Sequence, residues 1–160
     1  MTHAELVALG HRWLTNRGHT CFTEFATQDN ESPDVIGWKG GLSTLLEAKA
    51  DRGDFLSDKL KPARRRLFAL GRKRYYICPW GLIHPDELSE RWGLLWVRSG
   101  RVFMKMSAAP FPEYDWMGEL RFLNSMVRRV DIRLGEQHLS DWLRWENRRG
   151  DGCKCHETNG

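Results

Sequence analysis

The amino-acid sequence predicts an α/β fold in which a central mixed β-sheet is flanked by helices. Apolar residues recur at helical spacing near the N-terminus, and farther along two alternating, mostly apolar runs flank Gly40-Gly41. Helix and strand patterns follow one another in the order αβββαβ, with ββαα after them. An order of this kind is typical of helices packed on a mixed sheet.

The leading elements are a helix, a strand and a hairpin. Residues 3–17 are predicted to form the first helix, and Gly18 is suited to end it because glycine accepts a left-handed backbone. The first strand is expected over about residues 19–25, where side chains alternate. The hairpin around Gly40-Gly41 supplies the second and third strands, because glycine tolerates the positive φ that a two-residue turn requires.

A second helix is predicted after the hairpin. A short turn leads into it, and either Asp54 or Ser57 could cap its N-terminus. Proline is tolerated only in the first turn of a helix, and Pro62 therefore predicts that the helix proper begins near Lys61. Asp54 and Asp58 are interpreted as caps and solvated carboxylates rather than as ligands.

The rest of the chain is predicted to hold a strand, a short helix, a second hairpin, a longer helix and a final shorter helix. In chain order they occupy residues 74–78, 85–90, 93–106, 114–130 and 139–145. We expect one domain over residues 1–150, made of a core of about residues 1–106 and a C-terminal helical extension of about residues 113–147. Residues 151–160 are rich in glycine and polar side chains and are expected to be disordered.

The distribution of charge is more informative than its total. The chain has 25 Lys and Arg against 21 Asp and Glu, which gives a mildly basic net charge of +4. From Lys59 to Arg74 every charged residue is basic, and this predicts a local positive patch. An exposed basic helix face without a partner is the alternative. The side chains expected to contact nucleic-acid phosphates are Lys59, Lys61, Arg64, Arg65 and Arg66.

No signal peptide or transmembrane segment is visible, because the N-terminus lacks a long apolar run. We therefore expect a cytoplasmic protein without a membrane partner. The four cysteines are not spaced like a disulfide framework.

The first hairpin brings two carboxylates and a lysine together. If Gly40 and Gly41 form its loop, cross-strand partners have position numbers that sum to 81, and Asp34 lies opposite Glu47. Directly opposed side chains on one face have Cβ atoms about 5 Å apart. Lys49 is two residues beyond Glu47 and therefore points to the same face.

These side chains predict metal-assisted hydrolysis of a phosphodiester. Two opposed carboxylates repel each other unless a cation or a proton lies between them. Their oxygen atoms suit Mg²⁺ or Mn²⁺, and the Ala48 carbonyl is a further candidate ligand. A neighbouring lysine such as Lys49 can hold or deprotonate an attacking water and can stabilise charge on phosphorus. A surface hairpin with a solvated Glu–Lys pair is the alternative.

Pro33-Asp34, twelve intervening residues and Glu47-Ala48-Lys49 resemble the motif of the PD-(D/E)xK nuclease superfamily, which includes restriction endonucleases and Holliday junction resolvases. The resemblance covers roughly residues 1–106. Small stand-alone bacterial and phage members are similar in a Trp-Lys-Gly-Gly turn and in later apolar and acidic segments. In this chain those segments are residues 38–41, 81–83, 86–88 and 92–95.

The resemblance implies a restriction endonuclease-like core and a Mg²⁺- or Mn²⁺-dependent DNA endonuclease that acts in repair, recombination or phage DNA processing, without an organic cofactor. Asp34 and Glu47 would bind the metal with the Ala48 carbonyl, and Lys49 would assist the nucleophilic water. An acidic residue on the first helix often joins the metal site in such families, which implies Glu5 as a third carboxylate. Small enzymes of this kind often act as dimers, so the resemblance also allows a homodimer.

Several alternatives stay open beside this interpretation. The same fold could serve as a DNA-binding or protein-inhibiting module without cleavage, although such a module has no need of opposed carboxylates. An RNA nuclease is a further alternative. Glu5 could instead be a solvated residue that interacts favourably with the helix dipole. Trp38 and Trp80 lie near turns and could stack on bases, but we expect them in the core.

Overall fold

The computed structural model describes residues 1–23, 33–60 and 69–134, apart from the side chains of residues 59–60 and 131–134. In chain order the helices and strands of these ranges are α1 (His3–Thr15), β1 (Thr20–Thr23), β2 (Val35–Lys39), β3 (Leu42–Ala48), α2 (Arg52–Leu60), β4 (Lys73–Pro79), β5 (Gly93–Arg98), β6 (Arg101–Met106) and α3 (Trp116–Leu134). The chain divides into two compact units, Met1–Glu119 and Leu120–Gly160.

One mixed sheet contains all the strands named above, in the order β1-β2-β3-β4-β5-β6. The pairs β1–β2, β2–β3 and β5–β6 are antiparallel, whereas β3–β4 and β4–β5 are parallel. Helix α2 lies in the connection between β3 and β4, where parallel neighbours need a long crossover. The predicted mixed sheet is therefore confirmed.

The β2–β3 hairpin has the predicted register. Val35 pairs with Leu46, and the last pair before the loop is Lys39 with Leu42, so Gly40-Gly41 alone form the turn. Their φ angles are 55° and 74°, the left-handed values of a type I′ turn, which matches the twist of the paired strands. A Cβ atom at either glycine would meet nothing within 4 Å. Backbone conformation, and not space, therefore favours glycine here.

Helices cover both faces of the sheet. Leu6 of α1 belongs to one buried cluster with Leu46 and Ile77, which lie on the same face of neighbouring strands. Tyr76 points to the opposite face, because side chains alternate along a strand. There the ring of Phe55 from α2 lies edge-on to the Tyr76 ring, with centroids 5.3 Å apart. The predicted flanking of the sheet by helices is therefore confirmed.

The second helix begins earlier than the sequence predicts. It starts at Arg52 and not near Lys61. The carboxylate of Asp51 accepts a hydrogen bond from the Asp54 N–H at 2.9 Å. Asp51 is therefore the capping residue, and the assignment of that role to Asp54 or Ser57 is wrong. The prediction gave too much weight to a proline whose own segment lies outside the described residues.

The remaining described elements agree with the predictions to within a few residues, and residues 24–25 of the predicted first strand lie outside the described part of the chain. Strands β5 and β6 form the second hairpin as expected. The short helix predicted from residue 85 is a single 3-10 turn, Pro85–Glu87, and the helix predicted from residue 114 is α3. The helix predicted over residues 139–145 and the C-terminal residues 151–160 lie outside the described part of the chain.

Helix α3 is 19 residues long, and charged residues recur along its sequence. Among the helices that the structure describes, none combines the length and the apolar composition needed to cross a membrane.

Replacement of Gly40 tests the positive φ of the hairpin turn. We expect Gly40→Val to lower the free energy of unfolding by about 1–2 kcal/mol, because a branched side chain opposes the left-handed conformation. Gly40→Asn is the matched control and should cost much less, since asparagine is favoured at this position of a type I′ turn. Urea unfolding monitored by tryptophan fluorescence measures both. Equal losses in the two variants would contradict the turn assignment.

Candidate functional site

Asp34 lies immediately before β2. Its Oδ2 accepts a hydrogen bond from the Ala48 N–H at 2.7 Å. Its Oδ1 lies 3.3 Å from Nε2 of His3, near the start of α1. The carboxylate is therefore held between the end of β3 and the N-terminus of α1, and 18% of the side chain remains exposed.

Glu47 lies near the end of β3, and its side chain is buried. Because Val35 pairs with Leu46, one further step of the same register places Asp34 opposite Glu47. On the other side Glu47 pairs with Tyr76 of β4. Burial of a carboxylate near a second carboxylate costs free energy unless a cation, a proton or hydrogen bonds compensate. Asp34 and Glu47 are therefore the candidate cation ligands of this site.

Lys49 follows β3, and its side chain is buried as well. The Lys49 N–H donates to the Ile77 carbonyl at 2.9 Å, which extends the β3–β4 pairing by one residue. Its Nζ lies 3.5 Å from Oδ1 of Asp54 and 3.5 Å from Oδ1 of Asp58. A buried ammonium needs such partners to offset its lost hydration. Helix α2 therefore holds the lysine in position.

Asp58 is a residue of the site that the sequence interpretation missed. It is completely buried, and its Oδ2 accepts a hydrogen bond from the Tyr76 hydroxyl at 3.3 Å. The prediction of a solvated carboxylate is therefore wrong for Asp58, whereas the Asp54 side chain is 41% exposed. Both acids lie on one face of α2 at i, i+4 spacing. A helix predicted to begin near residue 61 excluded both positions from that pattern.

Glu5 takes part in the N-terminal cap of α1. Its carboxylate accepts a hydrogen bond from the Thr2 N–H at 2.7 Å, and the Thr2 hydroxyl accepts one from the Glu5 N–H at 3.2 Å. The first of these bonds holds the pKa of Glu5 below its ordinary value. Another α1 side chain, His3, contacts Asp34. Glu5 is therefore a capping residue of α1, and its role as a third metal ligand stays a prediction.

The predicted phosphate-binding residues fall mainly where the structure gives no description. The backbone of Lys59 belongs to α2, and its side chain lies outside the described atoms. Lys61, Arg64, Arg65 and Arg66 lie within residues 61–68, which are also outside the described part. Arg74, at the end of the same basic run, is buried, and its guanidinium donates to the carbonyls of Gly71 and Ala69. It therefore adds nothing to an exposed patch.

The two candidate tryptophans differ in their surroundings. The Trp38 Nε1–H donates to the Glu119 carboxylate at 3.0 Å, and Glu119 also accepts the Gly71 N–H. This contact holds Trp38, but its side chain is only half-buried, so the expectation that it belongs to the core is wrong. Trp80 is 49% exposed, so the expectation that it belongs to the core is wrong.

An ion pair ties α2 to the loop after β4. The Arg52 guanidinium donates two hydrogen bonds to the Glu87 carboxylate and a further one to the Leu82 carbonyl. Glu87 also accepts the His84 N–H at 2.9 Å. The hydrogen bond from Arg52, and to a lesser extent that from the His84 N–H, lowers the pKa of Glu87 to about 2. The pair holds in place the helix that positions Lys49.

The donor set can be tested against a divalent cation. Among residues 1–23, 33–60 and 69–134, no three His, Cys, Asp or Glu side chains form a group that could hold a metal alone. Mg²⁺, however, is commonly bound by one or two carboxylates, while waters and substrate phosphates fill the other positions. Asp34 and Glu47 fit that pattern, and the Ala48 carbonyl is a third oxygen in the same segment. The residues therefore fit a cation shared with a phosphate substrate.

Comparisons with known proteins extend only to the fold. No family model matches the chain, and no curated protein matches it. The structure is similar to that of the SPO1766 protein of unknown function from Silicibacter pomeroyi, with a TM-score of 0.63 and 18% sequence identity. The match covers 86% of this chain and 94% of that one. Both chains therefore share an α/β architecture, and this likeness carries no information on activity.

Asp58 and Asp54 make equally close contacts with the same ammonium but differ in burial, which makes them a matched pair. We expect Asp58→Ala to lower the free energy of unfolding by about 3–5 kcal/mol, because it leaves a buried charge without its buried partner. Asp54→Ala should cost less than about 1 kcal/mol, as is usual for an exposed partner. Urea unfolding measures both values. Similar losses would contradict the assignment of Asp58 as the main partner of Lys49.

The Arg52–Glu87 pair predicts a pH-dependent contribution to stability. The folded-state pKa of Glu87, about 2, is lower than its ordinary value of 4.5. The contribution is therefore complete above about pH 4.5 and is lost as the pH falls through about 2. Near neutral pH, Glu87→Gln should lower the free energy of unfolding by about 1 kcal/mol at most, because solvent screens the pair. A difference from wild type that stays constant on acidification would contradict this linkage.

Proposed function

We propose that this protein is a metal-dependent DNA nuclease of the PD-(D/E)xK type, with an endonuclease mode of cleavage and a restriction endonuclease-like core. The observation that carries the proposal is the hairpin register, which sets Asp34 opposite the buried Glu47. Lys49 follows on the same face and is held by carboxylates of α2. Opposed acids can hold the cation of a metal-assisted phosphodiester hydrolysis, and an anchored lysine can stabilise the charge that develops on the phosphate.

Each of the three side chains has a separate role in this proposal. Asp34 and Glu47 would hold Mg²⁺ or Mn²⁺, together with the Ala48 carbonyl. When bound, the cation supplies charge neutralisation at the scissile phosphate and a lower pKa for a coordinated water. Lys49 orients the attacking water and stabilises the negative charge that develops on the phosphate oxygens. Glu5 stays a proposed third carboxylate, one that would have to leave its contact with Thr2.

The contacts of Lys49 hold its ammonium group in a fixed position, which favours an electrostatic role for this residue. Its Nζ lies 3.5 Å from a carboxylate oxygen of Asp54 and of Asp58, and the side chain is buried. A group held in this way loses little freedom when the substrate binds, which preserves its position relative to Glu47. Asp58 is in turn oriented by the Tyr76 hydroxyl. Asp58 and Tyr76 are positioning residues in this proposal.

The sheet topology is compatible with a restriction endonuclease-like core. Strands β1, β2 and β3 form an antiparallel meander, and β4 adds in parallel after the crossover through α2. With α1 in front, this is the αβββαβ order that the resemblance implies. DNA is the proposed substrate, and the basic residues after α2 are the proposed contacts with its phosphates.

A module that binds DNA or inhibits a protein without cleavage is the second candidate function. One observation favours it: both oxygens of Asp34 already have protein contacts, with the Ala48 N–H and with His3. In a silent module these contacts would be permanent. In a nuclease, His3 would move away from Oδ1 when a cation binds.

The proposal is tested with labelled single-stranded, duplex and four-way-junction DNA, incubated with Mg²⁺, Mn²⁺ or EDTA. We expect metal-dependent cleavage that falls at least about 100-fold in Asp34→Asn, Glu47→Gln and Lys49→Met, because each change removes a charge that acts in the transition state. These substitutions nearly conserve side-chain size. RNA of the same sequence serves as the competitor that separates a deoxyribonuclease from a ribonuclease.

Two control variants accompany this experiment. Asp54→Asn removes a partially exposed partner of Lys49 and should retain most of the activity. Glu5→Gln distinguishes a third metal ligand, which would lose activity, from a capping residue, which would lose only stability. DNA binding without cleavage in the wild-type protein, or cleavage that survives in Asp34→Asn, would contradict the nuclease proposal.

A further inference from the structure

An exposed aromatic patch lies at the end of the sheet that also carries the candidate active site. Trp80 and Phe103 are 49% and 44% exposed. The Trp80 ring lies against Trp96, with centroids 4.9 Å apart, and edge-on to Phe103 at 5.6 Å. Trp96 itself is buried, and its Nε1–H donates to the Ile83 carbonyl. The two exposed rings therefore rest on a fixed base.

Basic side chains surround these rings. The Arg98 guanidinium lies 5.8 Å from the centroid of Trp80, and Nζ of Lys105 lies 5.0 Å from that of Trp96. Arg101 pairs with Arg98 across the β5–β6 hairpin. Between Glu90 and Glu113 the sequence contains basic residues but no acidic residue. The charge around the patch is therefore complementary to a polyanion.

The sheet topology connects this patch with the candidate active site. Strands β3, β4 and β5 are parallel, so their carboxyl ends meet at one edge of the sheet. Lys49 follows β3, Trp80 follows β4, and Arg98 ends β5. Tyr76 and Cys78 lie on the same face as Glu47, because side chains alternate along β4. Cys78 pairs with Trp96, whose ring contacts Trp80, so the Trp80 ring lies on that face as well.

The distance between Trp80 and Glu47 corresponds to the length of a few nucleotides of a DNA strand. Four residues of strand rise and one strand spacing put Trp80 roughly 14 Å from Glu47, measured between Cα atoms. One strand of DNA advances about 3.4 Å per nucleotide, so about four nucleotides would span this distance.

We propose that Trp80 and Phe103 form a stacking platform for unpaired bases of a nucleic acid strand, while Arg98, Arg101 and Lys105 contact its phosphates. Aromatic faces accept any base, and basic side chains follow the backbone, so the platform would bind single-stranded segments with little sequence preference. The inference rests on the proposed nuclease function in one respect: it assigns that enzyme a substrate with a single-stranded region. The binding itself does not require cleavage.

The experiment measures binding by fluorescence anisotropy in EDTA, where no cleavage occurs. The probes are an oligothymidylate of about 12 nucleotides and an abasic strand of equal length. We expect Trp80→Ala to weaken binding of the oligothymidylate about tenfold and binding of the abasic strand less than about twofold, because only the former has bases to stack. Trp80→Phe keeps an aromatic face and should stay within about threefold of wild type.

Trp116→Ala is the matched control, since Trp116 is also exposed but lies on α3. It should bind both strands as the wild-type protein does. Equal binding of oligothymidylate by Trp80→Ala and wild type would overturn the platform, as would equal losses on the two probes. No binding of either probe by the wild-type protein would also overturn it and would favour a protein partner for the patch. Cleavage assays report separately on the nuclease proposal.

Discussion

The register of the β2–β3 hairpin is the constraint on which the sheet and the candidate site both depend. Because side chains alternate across a strand, a shift of one residue would exchange the two faces of β3. Leu46 would then leave the core under α1, and Glu47 would enter it. The positive φ angles of Gly40-Gly41 limit the loop to two residues. Local turn geometry and core packing therefore favour the same register, and Asp34 faces Glu47 as a consequence.

Burial of the charged groups beside the hairpin costs free energy, and stability alone does not explain it. Removal of each charged group from water costs several kcal/mol, and well-packed apolar residues of similar size are often at least as stabilising as an ion pair. Lys49 and Asp58 are nevertheless buried together, and Tyr76 donates to the same carboxylate. Such an arrangement requires α2 to keep its position, which the Arg52–Glu87 ion pair promotes. We infer that the charges are present for chemistry or binding, in agreement with the nuclease proposal.

The sequence predicts the features that local signals determine. The glycine pair and the alternation around it predict the hairpin and its register, because both depend on neighbouring residues. The contact of Asp58 with Lys49 depends on how a helix packs on a sheet, and no local pattern encodes that distance. His3 reaches Asp34 for the same kind of reason. The exposure of Trp80 is likewise a tertiary property, since its ring rests on a neighbouring strand. The fold class was therefore predictable, whereas the contacts of Lys49 with Asp58 and of Asp34 with His3 were not.

Cation binding by the protein alone distinguishes a metal site at Asp34 and Glu47 from a hairpin that carries only solvated charges. Electron paramagnetic resonance of Mn²⁺ titrated into the protein without DNA counts the bound ion independently of any catalytic step. We expect wild-type protein and Asp54→Asn to bind Mn²⁺, and Asp34→Asn and Glu47→Gln to lose at least about tenfold in affinity, because each of the latter removes one carboxylate ligand. Equal Mn²⁺ binding by all four proteins, or binding by none of them, would contradict the assignment of Asp34 and Glu47 as a metal site.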